Sequence, residues 1–380
     1  MFKKHVNFIK SQFNNQNFIP LHEPRFLGNE KKYLNDCIDS TYVSSVGEYV
    51  DLFEKKMCEI TGAKHAIALV NGTNALHLSL VLARVKANDE VLTQALTFIA
   101  TTNAISYCNA TPHFVDVDKT TLGLSPSLLK MHLSKIAELK DGVCYNKNTG
   151  KKIAACIPMH TFGLPMYIDE LVQLCDEYNI PVIEDAAESL GSTYKGKHTG
   201  TFGLLGTFSF NGNKTITCGG GGAIVTNNDK LARKAKHLST QAKVNHAWKF
   251  IHDEIGYNYR MPNLNAALAC AQLEQLNKFV KNKRELSDIY FNFFKQDPKI
   301  NLLREIKDAH ANYWLNAVVL NNEKIRDQFL EYTNSNGVMT RPVWTLMNKL
   351  KMFENCPKSD LSNAEWLEER VANIPSSVRI

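Results

Sequence analysis

The sequence predicts an α/β protein: a large domain on a mostly parallel sheet with helices on both faces, then a smaller C-terminal α/β domain. Three observations predict it. From about residue 50, short β-branched runs alternate with helix-length stretches whose apolar residues recur every three or four positions. Alternation of this kind closes parallel strand pairs through right-handed crossovers. It weakens after about residue 255, where a long helical pattern leads into a separate strand, a helix and a Pro-punctuated tail. The 380 residues are enough for two real cores, so the domains are expected at 1–255, which includes the N-terminal segment, and 256–380.

In chain order the expected strands are 65–70 (HAIALV), 90–93 (EVLT), 112–117 (PHFVDV), 152–159 (KIAACIPM), 180–185 (IPVIED), 206–210 (GTFSF) and 222–226 (GAIVT). Helical spacing is clear at 74–86 and 167–179. Beyond these, a long helix is expected from Leu264 toward Phe294, then a strand at 313–320 (YWLNAVVL) and a helix at 323–335.

Composition narrows the function classes. Apolar residues make up 44% and charged residues 22%, as in ordinary globular proteins. The net charge of +6 is mild and the basic residues are dispersed, so no nucleic-acid-binding stripe is expected. Nine scattered cysteines with no C-x-x-C pair argue against a disulfide framework and against a structural zinc site. The N-terminus lacks the apolar core of a signal peptide, and no run of eighteen apolar residues could span a bilayer. A cytoplasmic protein with no membrane partner and no metal is expected.

In an open α/β sheet, ligands collect at the carboxyl ends of the strands. Three such places stand out. After the first strand, Gly72, Thr73 and Asn74 lead into a helix, whose free N–H groups and dipole suit a phosphate. Taken alone, the same residues read as an ordinary turn with Thr73 or Asn74 as the N-cap. After 180–185, Asp185 stands at the strand mouth beside small Ala186 and Ala187. After 206–210 comes Lys214, followed closely by four glycines, Gly219 to Gly222. A lysine in general lies on the surface. This one trails a strand end, follows Asp185 by one crossover, and has side chains stripped away beside it. A lysine and an aspartate facing a flat site next to a phosphate cradle suit pyridoxal 5′-phosphate. The lysine amine forms an imine with the aldehyde, and the aspartate keeps the pyridine nitrogen protonated so that the ring serves as an electron sink.

At these residues the chain resembles the DegT/DnrJ/StrS family of nucleotide-sugar aminotransferases, over nearly its whole length. The carrying motifs are N-G-T-N-A-L (71–76), T-Q-A-L-T-F-I-A-T (93–101), V-D-V-D (115–118), H-T-F-G-L-P (160–165), E-D-A-A-E (184–188), F-S-F-N-G-N-K (208–214) and G-Y-N-Y-R-M (256–261). The resemblance implies the type I, aspartate-aminotransferase-like fold with pyridoxal 5′-phosphate as cofactor. By matched position it makes Lys214 the covalent anchor and proton shuttle, and Asp185 the partner of the pyridine nitrogen. Phe98 and Ala187 would sandwich the ring, while Gly72, Thr73, Asn74 and Ser209 would hold the phosphate. Glu188 would lie against the ring's phenolate oxygen. Asn258 would reach the phosphate from a neighbouring subunit, which implies a homodimer with a shared site. His160 and Arg260 match family positions with no assigned role.

Three departures are visible. Gln94 replaces the family's proline. Glu188 replaces its Gln, and an ionised carboxylate accepts hydrogen bonds but donates none, so Glu188 would have to be protonated or serve another partner. Gly220 replaces the acidic residue of G-E-G-G. Within the family, stretches such as DVDKTTLGLSP and EDAAESLGSTYKGKHTGTFG look like the subgroup acting in legionaminic acid and bacillosamine biosynthesis. That likeness implies amino transfer from L-glutamate to C4 of a UDP-linked 2-acetamido-4-keto-6-deoxy sugar for surface-glycan or nonulosonic acid biosynthesis. The alternatives are a GDP-perosamine synthase-type 4-aminotransferase, a 3-dehydratase on the same scaffold, which Lys214 disfavours, and a non-catalytic regulator on this fold.

Overall fold

The computed structural model describes residues 2–380. Seven strands build its central sheet: β1 (His65–Leu69), β2 (Glu90–Gln94), β3 (Thr111–Val115), β4 (Ile153–Ile157), β5 (Ile183–Asp185), β6 (Leu205–Ser209) and β7 (Gly222–Thr226). β2 pairs in parallel with β3 and β4, and β5 pairs in parallel with β6. Parallel bridges Cys156–Val182 and Met159–Asp185 join the two groups between β4 and β5. β7 runs antiparallel between β6 and β1. The order is therefore β3-β2-β4-β5-β6-β7-β1, with one reversed strand. Each sequence-predicted strand in this region is present, with bounds shifted by up to three residues.

Alternation along the strands distributes side chains to two covers. Ile67 and Leu69 face one cluster with helix Gly72–Leu82, while Ala66 and Ala68 face the other with helices Glu48–Thr61 and Asn263–Leu273. At the far edge, Leu92 and Val115 pack with helices Pro126–Ile136 and Ile168–Glu177. The helix Gly72–Leu82 buries Ala75 through Leu80 on successive faces, as expected for an element enclosed within the domain.

A second, antiparallel sheet holds Ile300–Leu302, Asn316–Leu320, Val371–Ile374 and Arg341–Pro342, in that order. The helix Glu323–Ser335 has the predicted bounds. The expected long helix is instead two, Asn263–Leu273 and Leu276–Phe294, parted at Glu274 and Gln275. Glu274 there accepts from Asn29 Nδ2 at 2.8 Å and from the Tyr33 hydroxyl at 2.7 Å, both in the N-terminal segment. We propose a domain boundary near residue 256, with one amendment. The first residues, expected to go with the large domain, pack elsewhere: Phe2, Val6, Ile9, Phe13 and Ile19 are buried among Leu286, Tyr290, Val318 and Phe329 of the C-terminal part. The amphipathic stripe of helix Lys3–Ser11 finds its apolar partner there.

Candidate active site

The strand order brings five carboxyl ends, after β1, β2, β4, β5 and β6, to one rim. Because β7 is reversed, its amino end starts at that same rim. A cleft of about 330 Å³ opens there. Eight residues expected at the site line it: Gly72, Thr73, Phe98, Asp185, Ala187, Glu188, Ser209 and Lys214.

Asp185 ends β5. Its backbone N–H donates to Pro158 O at 2.8 Å, and its own carbonyl accepts from His160 N at 3.1 Å, so the loop after β4 clamps it. The carboxylate is 2% exposed. Oδ2 accepts from the Thr101 hydroxyl at 2.7 Å, and Oδ1 from the Ala187 N–H at 3.2 Å. Both partners are uncharged. Burial accordingly raises its pKa, although Thr101, Ala187 and the more distant Lys214 oppose the rise. A buried anion whose hydrogen bonds all come from neutral donors leaves a place for a cation.

Lys214 sits in the turn after β6, its backbone N–H held by Asn211 O at 3.0 Å. Its ammonium lies 3.2 Å from Glu188 Oε1 and 3.9 Å from the centre of the Trp314 indole, a cation–π contact. The other Glu188 oxygen accepts from the Phe162 N–H at 2.9 Å. Phe162 adopts φ +58°, a left-handed conformation that costs a non-glycine residue roughly 1–3 kcal/mol. Burial pushes the Glu188 carboxyl up to about 7, against the opposing charge of Lys214. Expected at the cofactor either protonated or serving another partner, Glu188 is the ion-pair partner of Lys214.

The rim at the start of helix Gly72–Leu82 is made largely of backbone. Asn71 caps helix Gly72–Leu82, its Oδ1 accepting from the Asn74 N–H at 2.8 Å. The cap is therefore Asn71, not Thr73 or Asn74. Asn74 does not line the cleft. A Cβ on Gly72 would stand 2.8 Å from Ser209 Cβ, and one on Gly222 only 2.3 Å from Asn71 O. These two glycines let β6, β7 and the helix start close up. Gly220 lines the cleft without a side chain.

Several neighbours went unassigned in the sequence reading. Trp314 and Trp344 come from the C-terminal part and Met159 from the loop after β4, and all three line the cleft. Trp314 is tied at both ends: its Nε1–H donates to Asn213 O at 2.7 Å, and its backbone N–H to Asn312 Oδ1 at 2.8 Å. Asn312 Nδ2 in turn donates to Glu188 O and Leu190 O, both at 2.9 Å. Thr101, the last residue of the 93–101 motif, is the Asp185 donor. Gln94, in place of proline, is a buried hub. Its Nε2 lies within hydrogen-bond distance of Leu96 O, Leu122 O and Thr161 Oγ1, and its Oε1 accepts from Leu124 N and Met159 N. Its amide thus joins the ends of β2 and β4.

His160 and Glu184 are fully buried and 3.0 Å apart. Glu184 also accepts the N–H groups of Gly200, Phe202 and Gly203 at 2.6–2.7 Å, so the pair fastens the loop before β6. Asn258 is exposed, outside this cleft, and its Oδ1 accepts from Arg260 Nε at 3.2 Å and Nη2 at 3.0 Å.

The donor set fits pyridoxal 5′-phosphate: a lysine amine, an uncompensated buried carboxylate, a stacking aromatic and a glycine-lined helix start meet around one cleft. Comparison with known proteins agrees. The GDP-perosamine synthase of Escherichia coli O157:H7 is 38% identical over 360 residues, covering 94% of this chain and 93% of that protein. The GDP-perosamine synthase of Vibrio cholerae is 37% identical, covering 94% of each. The aminotransferase TlmJ from Streptoalloteichus hindustanus, 23% identical, shares the fold at a TM-score of 0.86 over 94% of this chain and 93% of its own. The model of the DegT/DnrJ/EryC1/StrS aminotransferase family matches residues 26–380. The chain therefore belongs to the DegT/DnrJ/EryC1/StrS aminotransferase family, with pyridoxal 5′-phosphate as its cofactor.

Proposed function

We propose that the protein moves the amino group of L-glutamate to C4 of a nucleotide-linked 4-keto-6-deoxy sugar. The observation that carries this reading is the meeting of Lys214 with Asp185, whose carboxylate has only neutral donors, in one cleft. When bound, the cofactor supplies an electrophilic carbonyl carbon and a cationic ring that takes up the electron pair released at the amino-acid Cα. Lys214 anchors it and, once freed, carries the proton between Cα and the cofactor carbon. Asp185 holds the proton on the ring nitrogen. Phe98 and Ala187 flank the ring, and Gly72, Thr73 and Ser209 receive the phosphate. Trp314 and Trp344 form the apolar wall that excludes water from the exchange.

The sugar carrier has two readings. The internal stretches that look like the legionaminic acid and bacillosamine subgroup favour a UDP-linked 2-acetamido-4-keto-6-deoxy sugar. The relatives at 37–38% identity, named GDP-perosamine synthases, favour GDP-4-keto-6-deoxymannose. The experiment offers each keto-sugar nucleotide with L-glutamate and identifies the amino-sugar product by mass and NMR. Product from UDP substrates alone supports the first reading, product from GDP substrates alone the second, and product from neither overturns both.

A homodimer with a shared site accords with the exposed apolar residues Trp248, Phe250 and Ile255, which lie on and just after the hairpin 243–252 that precedes Asn258. Light scattering of the purified protein tests it; a monomer at working concentration would overturn it. A cytoplasmic setting accords with nine free cysteines, and no described helix is long and apolar enough to cross a membrane.

A further inference from the structure

We propose that Glu188 is the proton partner of Lys214, taking the ammonium proton when the lysine becomes covalently linked and returning it when the lysine is released. The inference rests on the aminotransferase reading above and deepens it. Glu188 is 3% exposed, and its side chain has two hydrogen-bond partners and one charged neighbour of like sign. Lys214 Nζ lies at 3.2 Å from Oε1, the Phe162 N–H at 2.9 Å from Oε2, and the negative charge of Asp185 stands nearby. Of these, only the ammonium offers a positive charge.

That charge is consumed by the chemistry. An ammonium nitrogen has no lone pair, so condensation requires the neutral amine. The Lys214 N–H bond breaks and a Glu188 Oε1–H bond forms, leaving a lone pair on Nζ and a neutral carboxylic acid. Nζ then bonds to the aldehyde carbon. The aldehyde oxygen departs as water with the two remaining amine hydrogens, and a C=N double bond remains. Atoms and charge balance with no outside acid or base. Glu188 is now without its counter-ion, in a buried site facing Asp185, where a buried carboxyl holds its proton. Burial already pushes it up to about 7 with the ammonium beside it. Its new O–H can donate, which an ionised carboxylate cannot. This removes the conflict raised by finding an acid where relatives carry an amide. When Lys214 is displaced, the acid is in place to reprotonate it.

The test is proton stoichiometry rather than turnover. Pyridoxal 5′-phosphate is added to cofactor-free wild type and to Glu188→Gln in weakly buffered solution with a pH indicator, and imine absorbance is followed in parallel. Wild type retains the ammonium proton, whereas Glu188→Gln, lacking the acceptor, releases about one more proton per site. Equal release by the two proteins overturns the proposal. If Glu188→Gln fails to fold or load, infrared difference spectra of wild type carrying ¹³C-glutamate decide it: loading must create an isotope-shifted carboxylic acid band, and its absence overturns the proposal. Failure of the underlying reading looks different, since neither protein would then develop imine absorbance.

Discussion

Replacing Asp185 by Asn separates what this residue costs the empty protein from what it contributes to cofactor binding. In the cofactor-free fold its carboxylate is buried with two neutral donors, Thr101 and Ala187. Asn satisfies the same surroundings. Its Oδ1 keeps the Ala187 N–H, and its Nδ2 donates to the Thr101 hydroxyl. That hydroxyl turns toward Thr97, 3.0 Å away, and Thr97 already points at Met159 Sδ. No polar group is orphaned. The pH sign follows from the raised pKa of Asp185. The folded wild type binds this proton more tightly than the unfolded chain does, so its stability falls as pH rises above the ordinary carboxylate value of about 3.9. Asn carries no such dependence, so the variant gains on wild type as pH increases. Cofactor binding moves the other way. Losing one partner of a buried pair costs about 3–5 kcal/mol, or roughly 10²- to 4 × 10³-fold in affinity at 1.4 kcal/mol per decade. Urea unfolding of both cofactor-free proteins at about pH 5 and about pH 8, beside absorbance titration with pyridoxal 5′-phosphate, reads both effects. A variant less stable than wild type when empty, yet equal in cofactor affinity, would refute the reasoning.

Lys214→Ala abolishes turnover and the imine absorbance; any residual transamination measured with glutamate would exclude Lys214 as the anchor. Glu188→Gln stays active, because solvent takes the proton that Glu188 would hold, and a steady-state assay showing complete loss would give this carboxylate a duty beyond holding that proton. Asn312→Ala leaves Glu188 O, Leu190 O and the Trp314 N–H without a buried partner, which at about 1–3 kcal/mol each gives a loss of roughly 3–9 kcal/mol in chemical denaturation. Lys283 is fully buried, donates to Trp314 O at 3.2 Å and to Ser376 O, and burial lowers its pKa to about 7. The unfolded chain holds this proton up to its ordinary value, so this residue makes stability rise with pH from about 7 to about 10.5. Lys283→Met removes that rise, and parallel stability–pH profiles for the two proteins would show that Lys283 does not titrate in this range.

What the sequence made legible follows from which forces act locally. The helix at 323–335 was readable because a cap, Asn322, precedes an amphipathic stretch, and both signals lie within a few residues. The strands holding the site were readable because each is a short apolar run and β-sheets place ligands at strand ends. Asn71 was missed as the cap because Thr73 and Asn74 offer equally good capping chemistry, and only the backbone direction separates them. Trp314 was missed because YWLNAVVL reads as one strand. Tyr313 takes a left-handed φ of +47°, the strand starts only at Asn316, and Trp314 is thereby freed to reach Lys214. The early apolar residues Phe2 to Ile19 gave no hint of their place, since their partners all lie beyond residue 285.

The four glycines show where local and global causes meet. Their cost in backbone entropy marks a tight place, but the reason for the tightness is topological. Strand reversal puts the start of β7 against the start of a helix, where Asn71 O would be 2.3 Å from any Cβ on residue 222. Gly222 packs against the turn at Asn71 and Gly72, and Gly219, at φ +79°, bends the chain toward it. Gly222→Ala must therefore displace Asn71 and Gly72 and weaken pyridoxal 5′-phosphate more than it weakens pyridoxal without the phosphate. Equal loss of both in absorbance titrations would mean that the turn serves folding alone.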